Sequence, residues 1–263
     1  MIQNSSKSKI KKLAEFIALQ FEEKITPLEK IVGYENLQVF YDSYDKNTFD
    51  GMTIYDDGNF YIHLNIDKGN SPNSQRGRFT LAHELGHYHI DSHRIGLKLG
   101  LLEPHQSVTN KKQFDEIERE ADYFASCLLM PEVRFKKDIL KKIFNFELID
   151  FLCKEYNVSR TACAFRFAEI GNHPIMIIYA EKGFIKWTNC SEDFPFKYLI
   201  NNKNVPESLV MGDFFKNSKE DIFKTSQIWA IDCFNYVKAE DSDRKFHEHC
   251  ITYKESAFSI IWE

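Results

Sequence analysis

Residues 79–87 read Phe79-Thr80-Leu81-Ala82-His83-Glu84-Leu85-Gly86-His87, and this run leaves the chain few choices. On a helix, positions four apart lie one above the other, so His83 and His87 aim two imidazoles at one point. Glu84 lies on the adjacent flank, within reach of a water held at that point. Neutral imidazole is a good zinc ligand, and a carboxylate beside a zinc-bound water is a good general base. The same pentapeptide also occurs on plain solvated helices of unrelated proteins, so the surrounding chain has to decide.

Two histidines do not complete a zinc site, and a third protein ligand is needed. His93 stands ten residues after His83, the spacing of a third histidine in the pattern H-E-x-x-H-x-x-G-x-x-H. That pattern needs glycine at its eighth position to end the helix sharply. The chain has the β-branched Ile90 there, which suits a left-handed turn poorly. His89 points off the ligand face and reads as a surface residue. The better candidate lies in residues 116–131, a helical pattern in which positions 118, 121, 122, 125, 128 and 129 share a face. All of these but Glu118 and Asp122 are apolar, and a carboxylate on such a stripe needs a partner or a metal. Glu118 is therefore preferred over Glu120, whose spacing puts it on the flank. Asp122 is placed to accept a hydrogen bond from the outer nitrogen of His83 or His87 and so fix its tautomer. Ala121 is small enough to let the two helices approach closely.

The remainder of the chain gives the setting. A net charge of −5 argues against a protein whose main task is to coat nucleic acid or an anionic membrane. No run approaches the roughly 20 apolar residues of a membrane span, and the lysine-rich start does not resemble a signal peptide, so the expected location is the cytoplasm. Six scattered cysteines without a C-x-x-C pair read as reduced, mostly buried thiols. An amphipathic helix is expected near residues 9–24, then strands at 37–41, 51–55 and 60–64 with a turn at Asp56-Asp57-Gly58-Asn59. Such a sheet edge can hold an extended peptide by main-chain hydrogen bonds. His63 reads as an ordinary strand histidine. Residues 133–145 predict a basic amphipathic helix. Residues 146–156, the turn at Asn157-Val158-Ser159 and residues 160–169 look like a helix-turn-helix, with Arg160 and Arg166 on its second helix. That basic face is sparse for a DNA reader. Gly171-Asn172-His173-Pro174 marks a boundary. Strands are expected beyond it at 175–179, 183–187, 222–231, 235–240 and 256–262, with the first two joined at Glu181-Lys182. The irregular spacing of Cys190, Cys233, His247, His249 and Cys250 reads as chance rather than as a second metal site.

The run through His87, followed by Glu118-x-Glu120-Ala121-Asp122-x-Phe124-Ala125 and ending at Met130-Pro131, resembles the ImmA/IrrE family of bacterial metallopeptidases. Val158-Ser159 followed by Arg166 resembles the next element of that family, and the likeness covers roughly residues 35–190. It implies an intracellular endopeptidase with Zn2+ held by His83, His87 and Glu118, Glu84 as catalytic base and Asp122 behind the ligands. The substrate it implies is a helix-turn-helix (Xre-type) repressor, whose cleavage releases stress-response, mobile-element or toxin-antitoxin genes. Asp122 stands where asparagine is common, a change that keeps a hydrogen-bond acceptor. The expected fold is α+β: a zincin-like metallopeptidase domain over 1–131, with a small antiparallel sheet and the two ligand-bearing helices. A helix-turn-helix-like segment over 132–171 packs on it, and a β-rich α+β sensor or partner-binding domain covers 172–263. Tyr88, Tyr123, His173 and Arg166 stay open as donors to an oxyanion. The competing reading is a DNA- or partner-binding regulator whose metal site is structural or silent.

Overall fold

The computed structural model describes residue 2 and residues 4–102, 116–200, 203–217 and 220–263. The chain is α+β and divides into two compact units, Met1–Asp138 with Phe151–Ser159, and Ile139–Asp150 with Arg160–Glu263. The helical segment expected over 132–171 contributes residues to both.

The first unit opens with α1 (Asn4–Leu19) and α2 (Leu28–Tyr34), followed by β1 (Gln38–Asp42), β2 (Gly51–Asp56) and β3 (Asn59–Asn65). Asp57 and Gly58 both take positive φ, 43° and 85°, which is what a two-residue hairpin turn between β2 and β3 requires. The sheet order is β1-β3-β2, and β1 pairs with β3 in parallel while β2 pairs with it antiparallel. The sheet is therefore mixed rather than purely antiparallel, because the hairpin inserts β3 between its two predecessors. Alternation along β3 buries Phe60, Ile62 and Leu64. That face meets α3 (Gln75–His89). Ser74 caps α3, its hydroxyl accepting from the Gly77 N–H. After α3 come α4 (Asp91–Lys98), α5 (Glu116–Leu129) and α6 (Glu132–Ile139), the last shorter than the 133–145 expected. Ile10, Ala14 and Ala18 form the buried stripe of α1, which packs on α5.

Two further helices, α7 (Phe146–Tyr156) and α8 (Arg160–Ile170), lead into the second unit. Its sheet is built from β4 (Ile175–Glu181), β5 (Phe184–Cys190), β6 (Phe223–Trp229), β7 (Lys245–Tyr253) and β8 (Ser256–Trp262), all antiparallel, in the order β5-β4-β8-β7-β6. The first turn falls at Lys182-Gly183, both with positive φ, one residue later than the sequence suggested. Residues 235–240 are not a strand: Tyr236 takes φ 61° and Ala239–Asp241 is a single 3-10 turn. The fifth strand is instead β7. Helix α9 (Val210–Asn217) and the short α10 (Ala230–Cys233) add Met211, Phe214 and Cys233 to a core with Met176, Ile178, Phe246 and Ile261 from the sheet. Among the described residues no helix is long and apolar enough to cross a membrane. All six cysteines are free, and all but Cys190 are buried.

Candidate metal centre

Two helices of the first unit build the centre. Gly86 lets them touch: a Cβ there would lie 3.1 Å from Ala121 Cα, so the close approach needs glycine on α3 and a small residue on α5. At this crossing His83 Nε2 and His87 Nε2 lie 3.1 Å apart. Glu118 adds its two oxygens, Oε2 at 3.4 Å from His83 Nε2 and Oε1 at 3.5 Å from His87 Nε2. Among the described residues these three form the one group of at least three His, Cys, Asp or Glu whose donor atoms converge, all within 4.8 Å of one another.

The donor set can be tested against an ion. Zinc bonded to nitrogen and oxygen at about 2.0–2.1 Å in a tetrahedron sets its ligands about 3.3–3.4 Å apart. The nitrogen pair at 3.1 Å and the contacts of each nitrogen to its own Glu118 oxygen, at 3.4 and 3.5 Å, lie close to that value. Two nitrogens and one carboxylate also leave a fourth position open, as catalytic zinc sites do. The outer shell agrees: His83 Nδ1 lies 2.9 Å from Asp122 Oδ1. Its Nδ1–H therefore donates to Asp122, and the Nε2 lone pair faces the triangle. His83 and His87 are buried, and the Glu118 side chain is one-fifth exposed. Burial opposes a proton on His83, but Asp122 and Glu118 outweigh it and raise its pKa well above the ordinary value. Burial likewise pushes Glu118 up, and the two imidazoles overcome it, holding the carboxyl far below its usual range. A proton and a divalent cation therefore compete for the same atoms.

Glu84 is wholly inaccessible, and its Oε2 accepts a hydrogen bond from Thr53 Oγ1 at 2.7 Å. Its charge acts on His83. Strand β2, which carries Thr53, is an edge of its sheet. Thr53 and His87 line a narrow crevice with Leu97 and Leu102.

The rival ligands lie elsewhere. Ile90 is extended, φ −74° and ψ 114°, so the chain turns from α3 into α4 without a left-handed residue. His93 consequently sits on α4, its Nε2 3.0 Å from Glu120 Oε2 and its ring 5.2 Å from that of His87. Burial pushes its pKa down to about 4, with the charge of His87 adding to the effect, so it is neutral and donates to Glu120. His89 is not a surface residue: it is half-buried and stacked on Phe124. The four candidate oxyanion donors all have partners. Tyr88 donates to Glu35, Tyr123 carries Lys7 over its ring, His173 Nε2 lies 3.1 Å from the Glu263 carbonyl oxygen, and Arg166 pairs with Glu169. The contribution of β2 at Thr53 was missed from sequence. Its neighbour Gly51 was the signal, since glycine inside a strand marks a close approach.

A helix with His-Glu-x-x-His on a small sheet, crossed closely by a helix bearing a carboxylate, defines a zincin-like fold. Within that class the chain belongs to the IrrE N-terminal-like domain family (Peptidase_M78), whose match spans residues 34–168, just over half the chain. Among solved structures it is similar to a Mycobacterium tuberculosis transcriptional regulator, at 13% identity and a TM-score of 0.61, over 100% of this chain and 77% of that one. At that identity the likeness is one of fold. No curated protein matches the chain.

Proposed function

We propose that the chain is a zinc-dependent endopeptidase that cuts a helix-turn-helix repressor. The observation that carries this reading is the convergence of His83, His87 and Glu118, the two Nε2 atoms 3.1 Å apart and each within 3.4–3.5 Å of one Glu118 oxygen, beside a buried glutamate. Bound zinc would supply a Lewis acid and a water of lowered pKa. The Glu84 carboxylate would hold the proton given up by the attacking water and pass it to the nitrogen of the departing amine. Asp122 keeps His83 in the tautomer that ligates. The outer edge of β2, which pairs with no further strand among the described residues, offers main-chain groups to an extended substrate segment. The second unit serves as the sensor or partner-binding domain. A repressor as substrate is in keeping with the family and with the regulator named among similar folds.

The DNA-binding alternative loses support on α8. Arg160 is paired to Asp150 at 2.6 Å, and Arg166 is fully buried against Glu169. Arg166 is thus withdrawn from phosphate, and the charge of the exposed Arg160 is already met by Asp150.

Elemental analysis of wild type, Glu118→Ala, Glu120→Ala and His93→Ala tests the centre. One zinc per chain, lost only with Glu118→Ala, is the expected result. Loss only with His93→Ala would move the third ligand, and no zinc after reconstitution would overturn the reading. Incubation with purified Xre-type repressors of the same organism, followed by mass spectrometry, should then yield fragments with wild type and none with Glu84→Gln.

A further inference from the structure

Strand β2 meets Glu84 through two residues to which the reaction above assigns nothing. Thr53 is buried, and its hydroxyl reaches Glu84 Oε2 at 2.7 Å and the Glu84 carbonyl oxygen at 3.2 Å. Gly51 lies two positions earlier, on the same face of the strand. A Cβ built there would fall 2.5 Å from Glu84 Oε1, 2.9 Å from Glu84 Cγ and 2.7 Å from Thr80 Cγ2. The strand thus leaves a slot at position 51 that the carboxylate fills, and at position 53 a donor that fixes one of its oxygens. A hydrogen-bond chain holds slot and helix in register. Thr80, one turn before Glu84, donates to Asn70 Oδ1 at 2.8 Å, and Asn70 Nδ2 donates to the Asp50 carbonyl oxygen at 3.1 Å. Asp50 is the residue before the slot.

We propose that Thr53 is the positioning residue of the base: its hydroxyl, with the Gly51 slot, holds the Glu84 carboxylate in one orientation beside the His83–His87–Glu118 triangle. The chemistry of the donor supports this. A carboxylate in a buried site needs a hydrogen bond, and the strand supplies one from a neutral hydroxyl. The Thr53 hydroxyl donates to one of its oxygens and so sets the plane of the group. Small misplacements of a reacting group are costly in rate, so orientation is what such a contact contributes.

The inference rests on the metallopeptidase reading, and its test separates the two. Full-length wild type, Thr53→Val, Thr53→Ser and Glu84→Gln are loaded with Co2+, and acetohydroxamate binding is followed by visible absorption. The hydroxamate chelates the metal and shares its acidic proton with a carboxylate beside it, so its affinity reports where Glu84 stands. Valine keeps the shape of threonine without the donor, and serine keeps the donor without the methyl. All four proteins should hold one metal. Glu84→Gln and Thr53→Val should each weaken hydroxamate binding about tenfold or more, as loss of a hydrogen bond to a charged group does, with Thr53→Ser within about twofold of wild type. Gly51→Ala should resemble Thr53→Val, because the methyl displaces the carboxylate. Wild-type affinity in Thr53→Val alongside a weakened Glu84→Gln overturns the positioning role. A loss in Thr53→Ser equal to that in Thr53→Val overturns it too, assigning Thr53 to packing. A Glu84→Gln protein that binds like wild type overturns the peptidase reading itself, and the role of Thr53 with it.

Discussion

Glu84 in the first unit and Glu248 in the second are both fully inaccessible carboxylates, and each accepts a hydrogen bond from a hydroxyl on a neighbouring strand. Their surroundings differ. Glu248, on β7, also accepts from the Val210 N–H at 2.5 Å and the Met211 N–H at 3.3 Å, the orphan donors at the start of α9. Ser259 Oγ donates to it at 2.6 Å. It is a helix cap supplied from across the sheet. Glu84 caps nothing; it stands beside three converging metal-type donors and against a strand that gives way at Gly51. Burial alone therefore does not mark a catalytic acid. What sets Glu84 apart, and supports its proposed role, is the company of the converging His83, His87 and Glu118 donors.

The comparison breaks most sharply on turnover. In Glu84→Gln, cleavage of a repressor substrate should fall by about 10²–10⁴, the usual contribution of a positioned base, with zinc content kept. In Glu248→Gln, kcat should stay within about twofold of wild type on the same reading of their roles. Equal losses in single-turnover assays would place both acids in one mechanism.

Metal removal comes next. On the proposed function zinc binds only the folded first unit, so at a thousandfold excess over its dissociation constant it should add about 4 kcal/mol to that unit and nothing directly to the second. Hydrogen exchange with and without chelator resolves this, amides of α3 and α5 losing protection while those of β7 and β8 do not. The Glu118→Ala protein should show no such difference.

How much of this could be read from the chain follows from sequence distance. The two histidines and Glu84 fall within five residues, so one helical turn suffices to place them. Glu118 is 31 residues beyond His87, yet it was legible because an acid interrupts an apolar stripe. Glu248 was not. Its amide donors lie 38 and 37 residues earlier, and its own strand hides behind it. Lys245–Tyr253 carries His247, Glu248 and His249 in its centre, and a carboxylate at the buried position between Phe246 and Cys250 breaks the apolar-polar alternation that would announce a strand. The parallel pairing of β1 escaped for a related reason. Strand propensity fixes neither neighbour nor direction, and the β2–β3 hairpin chose both.

The third test is pH. Burial pushes Glu248 up to about 7, against the pull of Ser259 and the two amides. The folded second unit therefore keeps a proton that the unfolded chain, with an ordinary carboxyl near 4.5, releases first. The stability tied to this proton is whole below about pH 4.5, falls as pH rises towards 7 and is flat above, a loss on the order of 3 kcal/mol. Trp187, Trp229 and Trp262 all belong to the second unit, so urea unfolding followed by tryptophan emission reads this unit. The difference between wild type and Glu248→Gln should follow that curve, since paired carboxylates such as Glu263 contribute equally to both and cancel.

The smallest effect matches the two hydroxyls. Ser259→Ala removes the donor that faces Glu248, as Thr53→Val removes the one that faces Glu84. Two amides still serve Glu248, so the cost in the second unit should be about 1 kcal/mol, an ordinary net hydrogen bond. Ser259 also draws the Glu248 pKa down, so its loss should move the pH window of destabilisation upward. Zinc content and hydroxamate affinity should stay at wild-type values. A hydroxyl that only caps answers in stability and its pH midpoint, whereas one that orients a base answers in ligand affinity as well. Should Ser259→Ala alter hydroxamate binding, the separation of the two acids would fail, and the second unit would have to be counted as acting on the metal centre.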